Sequence, residues 1–322
     1  MAVSNKFAVI AVVMVVLAAA VAGSVLFGMY GHDEDDSSMT STTTIPTSKE
    51  DLLSAYPSGI VTTVDSDGET VTGWIYSWTY DDDPYTVTLN FTYEDLIDYR
   101  AADVYRGYVS ENYTSTETIN TNIAFVTYTD PYIIELTSQL IELSGVADTT
   151  TDDGQIELAA FILGFAQSFE YVSDSDFYEA NKSLLFVDDE LVDGVVEEYW
   201  KYPLETLYDR AGDCEDTSIL LAALFKAAGY DTALVLLPGH AVTAVVLPSD
   251  TVGYYYSVDS KNYYFCETTA ETSLGQATVT STATLIIVPD EGEDATLCER
   301  ALSYYSGQSS VTPTNPFGPR QR

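Results

Sequence analysis

The stretch Gly212-Asp213-Cys214-Glu215-Asp216 opens an apolar run that extends from Thr217 to Ala228. Asp213 is of the type favoured at a helix N-cap, and Asp216 follows three positions later, as in a capping box. The run is apolar all round the helical wheel, which predicts a helix that is buried within a domain. The sequence therefore predicts that Cys214 lies at the start of a buried helix.

A cysteine at this place suits nucleophilic catalysis only if a thiolate forms there. The unpaired amides and the dipole of a helix N-terminus favour the thiolate. The neighbouring Asp213, Glu215 and Asp216 oppose it, each by less than about 1 kcal/mol where they are exposed. A histidine close by in a partly dry cleft outweighs them. The thiolate of Cys214 therefore requires a histidine.

The chain contains two histidines, His32 and His240. His32 lies in a polar stretch close to the N-terminus. His240 opens a predicted strand directly after the turn Pro238-Gly239, where a side chain can face the rim of a cleft. A single histidine at a strand start is usually structural, but the cysteine on the preceding helix favours catalysis. His240 is therefore the predicted base.

Two acids, Glu267 and Asp259, are candidates to orient the imidazole. Asp259 lies in a predicted hairpin turn, where aspartate is expected for turn reasons alone. Glu267 ends the strand that follows, so it can lie beside His240 on a neighbouring strand. We favour Glu267 as the third member of the triad and keep Asp259 as the alternative.

Composition limits the classes of function that remain. The 322 residues carry a formal net charge of −38, which would repel a phosphate backbone and argues against nucleic-acid binding. The simplest interpretation of this charge is a solvated acidic exterior. No histidine or cysteine cluster has the spacing of zinc ligands, and the chain has no glycine-rich phosphate loop. We therefore expect neither a metal nor a cofactor.

Hydrophobic periodicity predicts an α+β fold. Runs rich in β-branched and aromatic residues predict a small antiparallel β section in residues 55–130, whose tryptophans and tyrosines we expect in the core. Helical periods occur at 131–143, 155–169 and 188–200, and strands are predicted from residue 232 to residue 288. We expect a catalytic domain at 131–300 and a disordered tail at 301–322.

The N-terminal region predicts a membrane anchor. Residues 7–30 are apolar and uncharged, and at about 1.5 Å per residue they can span a bilayer. Lys6 favours a cytoplasmic N-terminus at residues 1–6, with a flexible stalk at 31–54 and the domain outside the cell. The alternative is a cleavable signal peptide cut after Ala20-Val21-Ala22. Outside the cell, a disulfide between Cys266 and Cys298 would leave Cys214 free.

The order of a helix-start cysteine, a strand histidine and an acid on the next strand resembles the transglutaminase-like superfamily of cysteine hydrolases. The similarity extends over about residues 161–288. It is carried by Tyr199–Leu207, Gly212–Ser218, Gly229–Asp231, Leu237–His240 and Tyr263–Thr269. Phe165–Tyr171 is also similar to a helix end that precedes the cysteine in membrane-anchored prokaryotic members.

The resemblance implies a papain-like core, in which a central helix bearing the cysteine packs on an antiparallel sheet. It implies a hydrolase or acyltransferase that acts on amide bonds of proteins or peptides through a thioester. The superfamily usually has an Asp-Pro-Thr context at the acid, where this chain has Glu267-Thr268-Thr269. The backbone N–H of Cys214 and a second donor, for which Gln167 is the candidate, would bind the oxyanion. The alternative function is a non-catalytic adhesion or envelope-organising module on the same fold.

Overall fold

The computed structural model describes residues 60–64, 70–100, 106, 116–180, 186–187, 190–191, 199–277 and 282–306. The chain divides into two compact units, residues 1–62 and 63–322, and every element from residue 70 onwards belongs to the second. None of the helices in the described ranges has the length and apolar character needed to cross a membrane. The predicted anchor at 7–30 and stalk at 31–54 lie outside the described residues.

The elements alternate between helical and extended segments. The helices are α1 (Tyr93–Arg100), α2 (Thr116–Ile123), α3 (Pro131–Ser144), α4 (Asp152–Ala166), α5 (Asp174–Ala180), α6 (Pro203–Asp209) and α7 (Cys214–Ala227). The first seven strands are β1 (Ile60–Val64), β2 (Thr70–Tyr80), β3 (Asp83–Thr92), β4 (Glu170–Tyr171), β5 (Phe186–Val187), β6 (Glu190–Leu191) and β7 (Ala211–Gly212). The last six are β8 (Thr232–Leu237), β9 (His240–Val246), β10 (Gly253–Val258), β11 (Lys261–Cys266), β12 (Thr282–Ile287) and β13 (Thr296–Tyr305). This mixture confirms the predicted α+β class.

A long hairpin of β2 and β3 covers the helical part of the fold. Its two-residue turn has positive φ at Asp81 and Asp82, the conformation that twists two strands into a tight hairpin. Trp74, Tyr76 and Trp78 alternate on one face and are buried. The Tyr76 hydroxyl donates to the carbonyl oxygen of Leu207 at 2.8 Å. These aromatic side chains belong to the core, as predicted.

Six antiparallel strands close into a barrel in the order β10-β11-β9-β8-β12-β13. Alternate residues of each strand point inwards, because side chains alternate between the two faces of a strand. The interior is filled by Ala233, Val235, Leu237, Val242, Ala244, Tyr256, Val258, Tyr263, Phe265, Ala283 and Leu285. Closure leaves no unpaired edge in this sheet.

Helix α7 packs on the outside of the barrel against β8 and β9. Residues 219–225 are completely buried, since helices α3, α4 and α6 cover the remaining sides of α7. Ser218 Oγ donates to the carbonyl of Ala241 at 3.3 Å, and Thr243 Oγ1 donates to the carbonyl of Ser218 at 2.7 Å. The prediction of a buried helix that starts at Cys214 is confirmed, and these bonds fix that helix to β9.

Two predicted segments differ from the structure, at residues 301–305 and 190–191. The tail predicted at 301–322 is wrong at 301–305, because β13 continues to Tyr305 and closes the barrel between β10 and β12, while residues 307–322 lie outside the described residues. The helix predicted at 188–200 is wrong at 190–191, which pair with 186–187 as a short hairpin. The predicted border at residue 130 lies inside the compact unit 63–322.

Candidate active site

Cys214 is the first residue of α7, and Asp213 occupies the N-cap position. The carbonyl of Asp213 accepts from the N–H of Thr217 at 3.2 Å and from Thr217 Oγ1 at 2.7 Å. The Asp213 side chain makes no cap hydrogen bond, so the predicted capping box does not form. Asp216 turns instead towards the backbone N–H of Lys201, which donates to its Oδ1 at 2.8 Å.

The Cys214 thiol has a carboxylate as its hydrogen-bond acceptor. It donates to Glu215 Oε2 at 2.9 Å. Burial and the adjacent Glu215 carboxylate raise the pKa of the thiol well above its usual range, against the opposing effect of the Ala241 N–H. In this arrangement the thiol is protonated at neutral pH.

His240 and Glu267 form the second part of the site. His240 Nε2 lies 2.9 Å from Glu267 Oε2, and the two side chains are 23% and 2% exposed. His240 begins β9 and Glu267 directly follows β11, and these strands are antiparallel neighbours. Because Nε2 contacts the carboxylate, Nδ1 is the ring nitrogen that can exchange a proton with a thiol.

Glu267 is held as a carboxylate. Its other oxygen, Oε1, accepts from the backbone N–H of Thr269 at 3.0 Å and from Thr269 Oγ1 at 2.8 Å. Burial alone would raise the pKa of Glu267, but the hydrogen bonds from His240 and Thr269 outweigh it and lower the pKa to about 2. A carboxylate with this pKa can orient an imidazole and stabilise its protonated form at any physiological pH.

Stability should therefore depend on pH through Glu267. The ordinary glutamate pKa is 4.5 and the folded value is about 2, so the ionised group stabilises the fold above pH 4.5. This contribution, on the order of 2 kcal/mol, is lost as the pH falls from about 4.5 to 2. We expect Glu267→Gln to be less stable than the wild type at pH 7, with the difference shrinking over that window in urea unfolding. A difference that is independent of pH would contradict this assignment.

The two parts of the site meet at the start of β9. Ala241, whose carbonyl accepts from Ser218 Oγ of α7 at 3.3 Å, directly follows His240. Thr217 Oγ1 lies 2.8 Å from Thr268 Oγ1, which ties the first turn of α7 to the residue after Glu267. The structure thus places His240 in contact with Glu267, and it places the helix that begins at Cys214 against the strand that begins at His240. Their catalytic role stays a prediction.

Asp259 lies elsewhere. It occupies the turn between β10 and β11 with a φ of 47°, at the opposite end of β11 from Glu267. Six residues of extended strand separate the two acids, a distance of about 20 Å. The structure does not bring Asp259 to His240.

Gln167 lies at the C-terminal end of α4 and contacts the loop that follows Glu267. Its Nε2 donates to the carbonyl of Glu267 at 2.8 Å and to the carbonyl of Thr272 at 2.9 Å. Both amide hydrogens have an acceptor there, so the role of oxyanion donor stays a prediction that requires one of these bonds to break. In the structure, Gln167 holds the loop that carries the acid.

Three acids, Asp174, Asp213 and Glu215, lie close together near the start of α7, and the sequence analysis did not single out Asp174. Asp174, Asp213 and Glu215 place one carboxylate oxygen each within 4.8 Å of one another. Burial, followed by the charges of Asp216 and Asp213, raises the pKa of Asp174 to about 9. Carboxylates at this spacing could hold a divalent cation, although such groups are common without one.

Tyr171 is a second residue that the sequence did not single out. It is 55% exposed and pairs with Gly212 in the short parallel ladder of β4 and β7. Partial burial, followed by the nearby Cys214 and Asp213, raises the pKa of its hydroxyl, and its partner Gly212 precedes Cys214 by two residues. An exposed aromatic ring beside the nucleophile is suited to contact a bound substrate.

The three cysteines are free thiols. Cys266 pairs with Thr243 on the face of the barrel that contacts α7, whereas Cys298 pairs with the inward-facing Leu285. Their side chains therefore lie on opposite faces of the sheet. The disulfide considered between Cys266 and Cys298 is not formed.

Comparison with known proteins adds little to this geometry. No protein-family model and no curated protein matches the chain. A crystal structure from Cytophaga hutchinsonii, provisionally described as a cysteine protease, matches with 14% identity over 74% of this chain and 77% of that one. Its TM-score is 0.24, which is too low to support an inference about either fold or function.

Proposed function

We propose that the chain is a thiol-dependent hydrolase or acyltransferase in which Cys214 is the nucleophile, His240 the base and Glu267 the group that orients the base. One observation carries the proposal. The strand start that presents His240 to Glu267 at 2.9 Å also contacts the first turns of the helix that begins at Cys214, because Ser218 Oγ donates to the carbonyl of Ala241 at 3.3 Å. A nucleophile, a base and an orienting acid on adjoining elements match the general requirement for covalent catalysis.

The reaction follows from the roles of these three groups. The Cys214 sulfur attacks an amide carbonyl as its proton passes to His240 Nδ1, which gives a tetrahedral oxyanion and an imidazolium. The imidazolium returns the proton to the departing amine when the C–N bond breaks, and a thioester remains. Water then attacks the thioester to release an acid, or an amine attacks it to form a new amide; His240 takes the proton of either nucleophile and returns it to the leaving thiolate.

The proposed superfamily, substrate class, membrane anchor and partner are supported by the sequence. The motif resemblance supports membership of the transglutaminase-like superfamily, with a protein or peptide substrate. The apolar run at 7–30 supports a single-pass anchor with the enzyme displayed outside the cell. The high negative charge supports a partner other than nucleic acid.

A second function has one observation in its favour. The Cys214 thiol donates to Glu215, and burial and that carboxylate raise its pKa above the usual range. A thiol held in this state favours an adhesion or envelope-organising module that keeps the fold without turnover.

An assay of the full-length chain with a pool of peptides and a fluorescent primary amine separates the two functions. For the enzyme we expect new peptide N-termini or incorporated amine, depending on the acceptor, and neither product with Cys214→Ser. Cys298→Ser, which removes another partly buried thiol, is the matched control and should retain activity. Equal product from wild type and Cys214→Ser would refute the enzyme and leave the non-catalytic module.

A further inference from the structure

A buried ammonium lies beside the turn that carries Cys214. Lys201 is 1% exposed, and its Nζ lies 3.1 Å from Asp216 Oδ2 and donates to the carbonyl of Ala211 at 3.3 Å. Ala211 precedes Cys214 by three residues, and Asp216 follows it by two. One side chain therefore binds the chain on both sides of the thiol.

The packing around this contact is tight. A Cβ on Gly212 would lie 2.6 Å from Asp216 Cβ and 2.9 Å from Asp216 Oδ2, so residue 212 has no room for a side chain. The Lys201 ammonium also lies 4.2 Å from the centre of the Phe177 ring. Gly212 is thus required by the close approach of Asp216 to the turn.

Lys201 remains charged in this environment. Burial alone would lower its pKa, but the nearby Asp216 and Asp209 outweigh burial and raise it. Asp209 is shared with Arg100, whose Nη2 lies 2.5 Å from Asp209 Oδ1. The network also contains Glu205, which pairs with Arg106 at 2.6 Å.

A buried ion pair is weak evidence for stability. Removing two charges from water costs about as much as their attraction returns, and apolar replacements of both partners are often neutral. Removing one partner of the pair is destabilising, since the other charge is left buried and uncompensated. The Lys201–Asp216 pair is therefore better explained by the geometry it imposes on the chain between Ala211 and Asp216.

We propose that Lys201 is a positioning residue for the Cys214 nucleophile. Its ammonium binds the chain on both sides of Cys214 and so fixes the turn that opens α7, next to the strand that begins at His240. The inference rests on the proposed function, since positioning has a chemical consequence only if Cys214 reacts through His240. It predicts that loss of Lys201 disconnects the thiol from its base even where the fold is intact.

The test measures iodoacetamide modification of the Cys214 peptide by mass spectrometry across pH, together with thermal unfolding, on the full-length chain. Lys201→Met should lower the melting temperature. The double variant Lys201→Met/Asp216→Asn removes both charges and keeps an oxygen for the Lys201 backbone N–H, so it should recover the melting temperature. In the double variant we still expect the His240-dependent modification near neutral pH to be slower by on the order of tenfold. Lys201→Arg should retain more of the His240-dependent modification rate than Lys201→Met.

Lys226→Met is the matched control. Lys226 is on α7, as Cys214 is, but it lies near the other end of the helix and pairs with Asp290. It should leave the pH profile unchanged. A double variant that recovers both the melting temperature and the wild-type profile would reduce Lys201 to a structural residue. If His240→Ala leaves the profile of the otherwise wild-type chain unchanged, the proposed function fails and this inference fails with it. If His240→Ala changes the profile and the double variant does not, only the role of Lys201 is refuted.

Discussion

Replacing His240 with alanine is expected to reduce amide turnover by on the order of 10²- to 10⁴-fold. The thiol pKa is raised by burial and by Glu215, so few sulfurs ionise at neutral pH without a base. In the proposed mechanism His240 takes the thiol proton, and it contacts the Glu267 carboxylate, whose pKa of about 2 keeps that group negative at neutral pH. The variant loses both the proton acceptor and the later proton donor to the leaving amine.

The measurement compares turnover of the most rapidly cleaved peptide with alkylation of Cys214, each across pH. At strongly alkaline pH the thiol ionises without a base, so alkylation of wild type and His240→Ala should converge there. His32→Ala is the matched control, because His32 is the other histidine of the chain and should leave both profiles unchanged. Equal turnover by His240→Ala and wild type at neutral pH would remove His240 from the mechanism.

Periodic segments of this protein could be predicted well from sequence. The apolar wheel after Cys214 predicts a buried helix, and α7 is buried because the barrel and three helices surround it. Alternation predicts five of the six barrel strands. The sixth strand, β13, was not predicted. One reason is that its side chains alternate between partly packed and exposed positions, so its hydrophobic pattern is weak. Its pairing with β10 and β12 is a long-range property that local pattern does not record.

The candidate site divides in the same way. Cys214, His240 and Glu267 can be found because each has a residue type of known chemistry at the end of a predictable element. Asp174 and Lys201 could not, because their importance arises from burial and from contacts with Asp216 that form only in the tertiary structure. The predicted capping box failed for the same reason: Asp216 has a buried ammonium and a backbone N–H as partners, and these compete with local capping.

Replacing Glu215 with glutamine is expected to make Cys214 more reactive, whereas His240→Ala is expected to lower activity. Glu215 Oε2 accepts a hydrogen bond from the Cys214 thiol at 2.9 Å. Burial is the largest cause that raises the pKa of the thiol, and the charge of Glu215 is the second largest. The amide keeps the shape of the side chain and removes its negative charge. The free energy needed to ionise the thiol therefore falls. We expect the apparent pKa of Cys214 to fall and alkylation at pH 7 to rise by on the order of tenfold, which corresponds to one pKa unit.

The matched control is Glu299→Gln, which neutralises an exposed carboxylate on β13 and should leave Cys214 unchanged. Turnover distinguishes two roles for Glu215. If the carboxylate only restrains the resting thiol, Glu215→Gln should raise turnover together with alkylation. If Glu215 also binds substrate, alkylation should rise while KM increases and turnover at low substrate falls. An unchanged alkylation profile would contradict both, because it would mean that the Glu215 charge does not reach the sulfur in solution.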